Sequence, residues 1–140
     1  MTRVVVDASI AVKWFVPEEL SDAARRLLAA EYELLAPELL WAELGNALWK
    51  KHRRRELDQR TAGRLLRDFS RVPIEFHQTI RWAGAALELA MRHGVTVYDA
   101  LYLALAAGHG CRVLTADRRL QEACRSGDIR HLVGWVEDLA

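Results

Sequence analysis

No stretch of the chain stays apolar for the ~20 residues that a membrane-spanning helix needs, so no helical membrane anchor is expected. The opening residues, MTRVVVDASI, lack the pattern of a secretory leader, because Asp7 interrupts the apolar run. The simplest expectation is a cytoplasmic protein. Cysteine is scarce: Cys111 and Cys124 form no CxxC pair, and no histidine stands near them at zinc spacing. They read as two reduced, partly buried thiols. The five histidines show no ligand spacing along the chain. No glycine-rich phosphate loop and no GxSxG elbow is present. Excess charge is missing too. With 20 basic against 19 acidic residues the net charge is +1, and that balance demands neither a nucleic acid nor a membrane. Any pull on a polyanion has to come from local patches. There is no internal repeat, low-complexity tract or long linker.

What is there suits one folded domain across residues 1–140. The length supports a single core, and 51% hydrophobic residues favour folding over disorder. RVVVD reads as a short buried strand, rich in β-branched residues. Ser9 is placed to cap a helix over 10–15, which ends near Pro17. Another helix is expected over 21–30 and a weaker strand over 32–36. Pro37 suits a helix start, with the helix running to about Arg53. An amphipathic helix comes next over 58–71, then a short strand over 74–76, and a helix over 78–92 that Gly94 closes. VTVYDALYLALAA, residues 95–107, reads as a largely buried helix, broken by GHG. CRVLT is a strand, residues 117–125 a short helix, and IRHLVGWVEDL holds one more strand and a terminal turn. Apolar strands alternating with helices predict an α/β fold, a parallel sheet covered on both faces. Ligands of such sheets gather at the carboxyl ends of the strands, where Asp7 and Asp117 are expected.

Four acids break the apolar pattern. Asp7 ends VVVD, Glu43 is the only charge in LLWAELGNALW, Asp99 is the only charge in residues 95–107, and Asp117 ends VLTAD. Each admits a structural role. Asp7 can cap a turn and Asp117 the helix after it, and Thr96 with Asp99 fits a capping box. Glu43 caps nothing, but can pair with an arginine or reach solvent. The alternative is one shared pocket. Gathered carboxylates repel and raise each other's pKa, a penalty that a divalent cation removes. Oxygen donors without Cys or His suit Mg²⁺ or Mn²⁺. Such an ion can bind a phosphate oxygen and acidify a bound water, the chemistry of phosphodiester hydrolysis.

The segments VVVDASIAVKWF, PELLWAELGNALWK and TVYDALYLALAAGHGCRVLTADRRL resemble the PIN-domain nucleases, most closely the VapC-type toxins of toxin–antitoxin pairs. The resemblance runs in order over nearly the whole chain. It implies that Asp7, Glu43, Asp99 and Asp117 are the acidic metal-site residues, and all four are present. It implies a three-layer α/β/α sandwich with a short parallel central sheet. It further implies RNA as substrate, Mg²⁺ or Mn²⁺ as cofactor, a homodimer, and a small VapB-like antitoxin as partner.

Lesser candidates lie around these four. Ser9 and Thr115 fit either the edge of the site or ordinary capping and turn bonding. Asn46 stands one helical turn from Glu43. KKHRRR, Lys50 to Arg55, is the densest basic run and fits a phosphate contact or a solvated helix end. Arg118 and Arg119, beside Asp117, have the better claim to meet RNA phosphate. Trp14, Trp41, Trp49, Trp82 and Trp135 can stack bases, but packing is their default role. Two other readings stay open. A phosphatase or receiver domain also carries an Asp after its first strand, but the phosphatase version wants DxD where this chain has Asp7 and Ser9, and a receiver wants paired acids. The other is a non-catalytic PIN-like binding module, against which the four intact acids argue.

Overall fold

β1 (Thr2–Val6) forms where three valines stand in a row, and its last three residues are buried. In the computed structural model, which describes residues 1–139, four more strands join it. Ala140, the last residue of the expected domain, lies outside the described residues. The strands are β2 (Tyr32–Pro37), β3 (Ile74–His77), β4 (Arg112–Thr115) and β5 (Val133–Trp135). All pairings are parallel, in the order β3-β2-β1-β4-β5. Val5 at the centre pairs with Leu35 on one side and Val113 on the other.

Parallel strands need crossovers, and seven α-helices among the described residues supply them. They are α1 (Ala8–Phe15), α2 (Ser21–Arg25), α3 (Leu39–Arg53), α4 (Gln59–Phe69), α5 (Thr79–His93), α6 (Val97–Gly108) and α7 (Arg118–Ala123). The result is the α/β architecture expected from the alternating pattern. Connections leaving β1 lead to β2 and β3 on one side of it, while β4 and β5 lie on the other. The switch point therefore falls between the carboxyl ends of β1 and β4, where a crevice opens in such sheets.

The longest apolar run becomes α6, which packs against α5 and against β1, β2 and β4. Every residue from Asp99 to Ala106 is buried. Polar caps set several helix ends. Thr96 accepts a hydrogen bond from the Asp99 amide, Asp58 from the Thr61 amide, and Gly94 closes α5 at φ 69°. Three expectations need correction. Pro37 is the last residue of β2 and does not open α3, which starts at Leu39 after Glu38. The helix placed over 21–30 ends at Arg25 and tightens into a 3₁₀ turn over Arg26–Leu28, which buries Leu27 and leaves Leu28 exposed before β2 begins. Asp7, not Ser9, caps α1: its backbone stays extended and its side chain accepts from the Ile10 amide. The strand thus passes straight into the helix, with Asp7 as the hinge.

Candidate functional site

Asp7 comes directly after β1 and Asp117 just after β4, so both stand at the switch point. Asp7 is 7% exposed. Its Oδ1 accepts from the Ser9 hydroxyl at 2.5 Å and its Oδ2 from the Thr115 hydroxyl at 2.6 Å. Thr115 is itself fully buried, and its Oγ1 accepts from the Asp117 amide at 3.0 Å. Ser9 Oγ accepts from the Ala116 amide at 2.9 Å. The two hydroxyls thereby lock the ends of β1 and β4 together and fix the carboxylate between them. Burial pushes the Asp7 carboxyl up to about 6, and the negative charge of Asp117 adds to this, while the bonds from Ser9, Thr115 and Ile10 hold it back.

Asp99 is buried at the start of α6 without serving as its cap. The Thr96 half of the capping box forms, with Oγ1 accepting from the Asp99 amide at 3.1 Å. The Asp99 carboxylate turns elsewhere. Arg119 Nη1 donates to its Oδ2 at 3.0 Å and Nη2 to its Oδ1 at 3.3 Å, a two-pronged pair. Arg119 Nη2 also reaches Asp117 Oδ2 at 3.4 Å. One guanidinium therefore bridges two of the four acids. Asp117 meanwhile caps α7 through the Arg119 amide at 2.9 Å.

Glu43 projects from α3 and is half-buried. Its Oε1 accepts from the Tyr102 hydroxyl at 2.5 Å. Burial raises its pKa, the charge of Asp99 raises it further, and Tyr102 and Arg119 pull it back. The Tyr102 phenol is itself pushed up, first by burial and then by Glu43, so it stays protonated and donates. Tyr102 was not among the residues expected from the sequence. The signal existed: it lies three residues after Asp99, one turn along the same helix face.

The four acids are linked in pairs: the charge of Asp117 acts on Asp7, that of Asp99 acts on Glu43, and Arg119 bridges Asp99 and Asp117, though among the described residues no three of these carboxylates bring oxygens within 4.8 Å of one another. Their donors are all oxygens, the set that suits a hard divalent cation. The pocket already holds a positive charge in Arg119, and Asp7 is driven toward protonation. Both features fit a site built to receive a cation.

The remaining candidates are dispersed. Arg118 stacks over the Trp135 ring at 4.4 Å instead of joining Arg119. In the basic run, Lys51 pairs with Glu18 at 3.0 Å, and Lys13 pairs with the same carboxylate at 2.9 Å, tying α3 to α1. Arg53 lies over the half-exposed ring of Trp49 at 5.2 Å. Asn46 is exposed. Trp14 and Trp135 are buried.

Carboxylates at and beside the switch point of a parallel sheet are the feature that a comparison has to explain. Comparison with known proteins gives the family. The PIN domain model matches residues 4–126, and the chain belongs to that family. It is similar to a ribonuclease VapC3 of Pyrobaculum aerophilum, with 39% identity over 122 residues, 86% of this chain and 93% of the relative. The solved structure of PAE2754 from Pyrobaculum aerophilum superposes with a TM-score of 0.72 at 26% identity, covering 97% of this chain and 85% of that one. A toxin–antitoxin complex from Klebsiella pneumoniae shares the fold at 15% identity and a TM-score of 0.60, covering 83% of this chain and 88% of that one.

Proposed function

We propose that the chain is a metal-dependent endoribonuclease, a single PIN domain acting as the toxin of a toxin–antitoxin pair. What supports this is the placement of Asp7 and Asp117 at the switch point, with Arg119 joining Asp117 to Asp99 and Asp99 acting on Glu43, in a chain of the PIN family alongside relatives named as VapC ribonucleases. Those four residues are the proposed ligands of Mg²⁺ or Mn²⁺. When bound, such an ion supplies a positive centre that acidifies a water and draws charge from a phosphate oxygen. The protein's own part is positional. Ser9 and Thr115 hold Asp7 still, and Tyr102 orients Glu43 by its hydrogen bond to Oε1. With Oε1 taken by Tyr102, Glu43 has Oε2 left to face the ion. Arg119, 63% exposed along its side chain and paired with Asp99 and Asp117, is the cation beside these acids that a phosphate would meet. Arg118, next in sequence, lies over the Trp135 ring.

The proposed partners are RNA, a second copy of the chain, and a small antitoxin of the VapB type encoded beside it. An acidic pocket of this kind accepts a guanidinium, as Arg119 illustrates, and an antitoxin arginine or lysine is the expected inhibitor. Among the described residues no helix is long and apolar enough to cross a membrane.

The test is cleavage of total RNA with and without Mg²⁺, together with mapping of product ends. Cleavage is expected with Mg²⁺ or Mn²⁺ alone, leaving 5′-phosphate and 3′-hydroxyl ends, and is expected to vanish in Asp7→Asn. Full activity in excess chelator, or 2′,3′-cyclic ends, would falsify the mechanism.

A further inference from the structure

The far end of α6 carries a second set of ligand-type side chains. Glu75 and His77 occupy alternate positions of β3, which puts them on one face of the sheet. Phe76 between them packs with Trp41 and Phe69. His109 stands after α6 as its C-cap residue. One donor atom from each of Glu75, His77 and His109 lies within 4.8 Å of the other two, the one such group among the described residues. His77 Nε2 and Glu75 Oε2 are 3.1 Å apart. Two donors on a tetrahedral Zn²⁺ with bonds of 2.0–2.1 Å are separated by about 3.4 Å. The two imidazole centroids stand 4.7 Å apart.

Local chemistry orients these donors. His109 Nδ1 lies 3.0 Å from the Leu105 carbonyl oxygen. A carbonyl can only accept, so Nδ1 carries a hydrogen, and in the neutral ring Nε2 is the atom with the lone pair. A backbone bond of this kind is what commonly fixes a metal-ligating histidine. Trp82 walls the group, with its ring 5.5 Å from His109 and 6.4 Å from His77, centroid to centroid. Gly108 makes room for that wall: a Cβ there would collide with the indole. The carboxyl end of a helix also favours positive charge.

Two imidazoles and one carboxylate suit a borderline cation rather than Mg²⁺, which prefers oxygen alone. We propose that Glu75, His77 and His109 form a binding site for a zinc-class divalent ion, distinct from the acidic pocket. Ten residues of helix separate His109 from Asp99, about 15 Å. A bound ion ties the edge strand β3 to the end of α6, and three protein donors leave one position for water or for a donor from another molecule. The site stands whether or not the chain cleaves RNA.

The experiment titrates Zn²⁺ into the full chain in saturating Mg²⁺, monitoring heat and the histidine ring resonances. One equivalent of Zn²⁺ is expected to bind, with a higher melting temperature and with ring signals of His77 and His109 shifted while His52, His93 and His131 stay put. His77→Gln and His109→Gln should each weaken binding at least tenfold, while Asp99→Asn keeps it. Co²⁺ should give a ligand-field spectrum without thiolate charge transfer, which separates this group from Cys111 and Cys124. No stoichiometric binding, unchanged binding in both histidine variants, or unmoved His77 and His109 signals in the wild type overturns the proposal. The wild-type resonances decide the matter even if a variant folds poorly.

Discussion

Asp7 is where burial and charge oppose each other most directly. Its carboxyl is pushed up to about 6 in the folded protein, against an ordinary 3.8. Ionising it there is roughly 3 kcal/mol harder than in the unfolded chain. Between those two values the folded state holds a proton that the unfolded state has released. Stability from this group is therefore full below about pH 4 and is lost as pH rises through 6. Asp7→Asn removes the effect. Without metal, the variant should gain on the wild type as pH rises from 4 to 7, by roughly 3 kcal/mol in all, read from denaturant curves at several pH values. A difference that stays flat with pH rules out the buried carboxyl as the cause. Arg119 makes the matching prediction. Its guanidinium competes with a metal for Asp99 and Asp117, so Arg119→Ala should bind Mg²⁺ several-fold more tightly by calorimetry. Equal or weaker binding means the arginine is not a competitor.

Helices and strands were largely legible from periodicity, because the strands are short, apolar and separated by amphipathic helices. What the sequence hid was how ends are finished. Ser9 looked like a cap from its residue type, yet the chain gives that task to Asp7, because Ser9 is needed to hold the β4 end through the Ala116 amide. GHG was readable as the end of α6, but not as a packing device. Gly108 exists because Trp82, 26 positions earlier, fills the space of its Cβ. Gly108→Ala should force that indole aside. Overpacking of this kind costs roughly 1–3 kcal/mol, against a gain of up to about 1 kcal/mol from helix propensity, so chemical denaturation should show a net loss. A variant as stable as wild type would mean that Trp82 moves freely.

At the scale of the molecule, the four acids were legible because each breaks an apolar pattern that burial normally enforces. That they share a site was an expectation, resting on strand ends for Asp7 and Asp117 and on family resemblance for all four. Arg119 could not be placed. Its position beside Asp117 suggested phosphate, and nothing in the sequence pointed to the pairing with Asp99, 20 residues away. The histidines were opaque for the same reason: no spacing along the chain joins His77 to His109, and only the packing of α6 against its neighbours brings them together.

Whether these four acids make one cation site is decided by melting the wild type and Asp99→Asn in chelator and in several concentrations of Mg²⁺. A ligand that binds only the native state stabilises it by RT ln(1 + [L]/Kd). The wild type's melting temperature should therefore climb with Mg²⁺, and that of Asp99→Asn should climb far less, with RNA cleavage nearly gone. A variant that keeps the full Mg²⁺ response and full cleavage would return Asp99 to the role of a helix residue paired with an arginine, and would contradict the shared pocket.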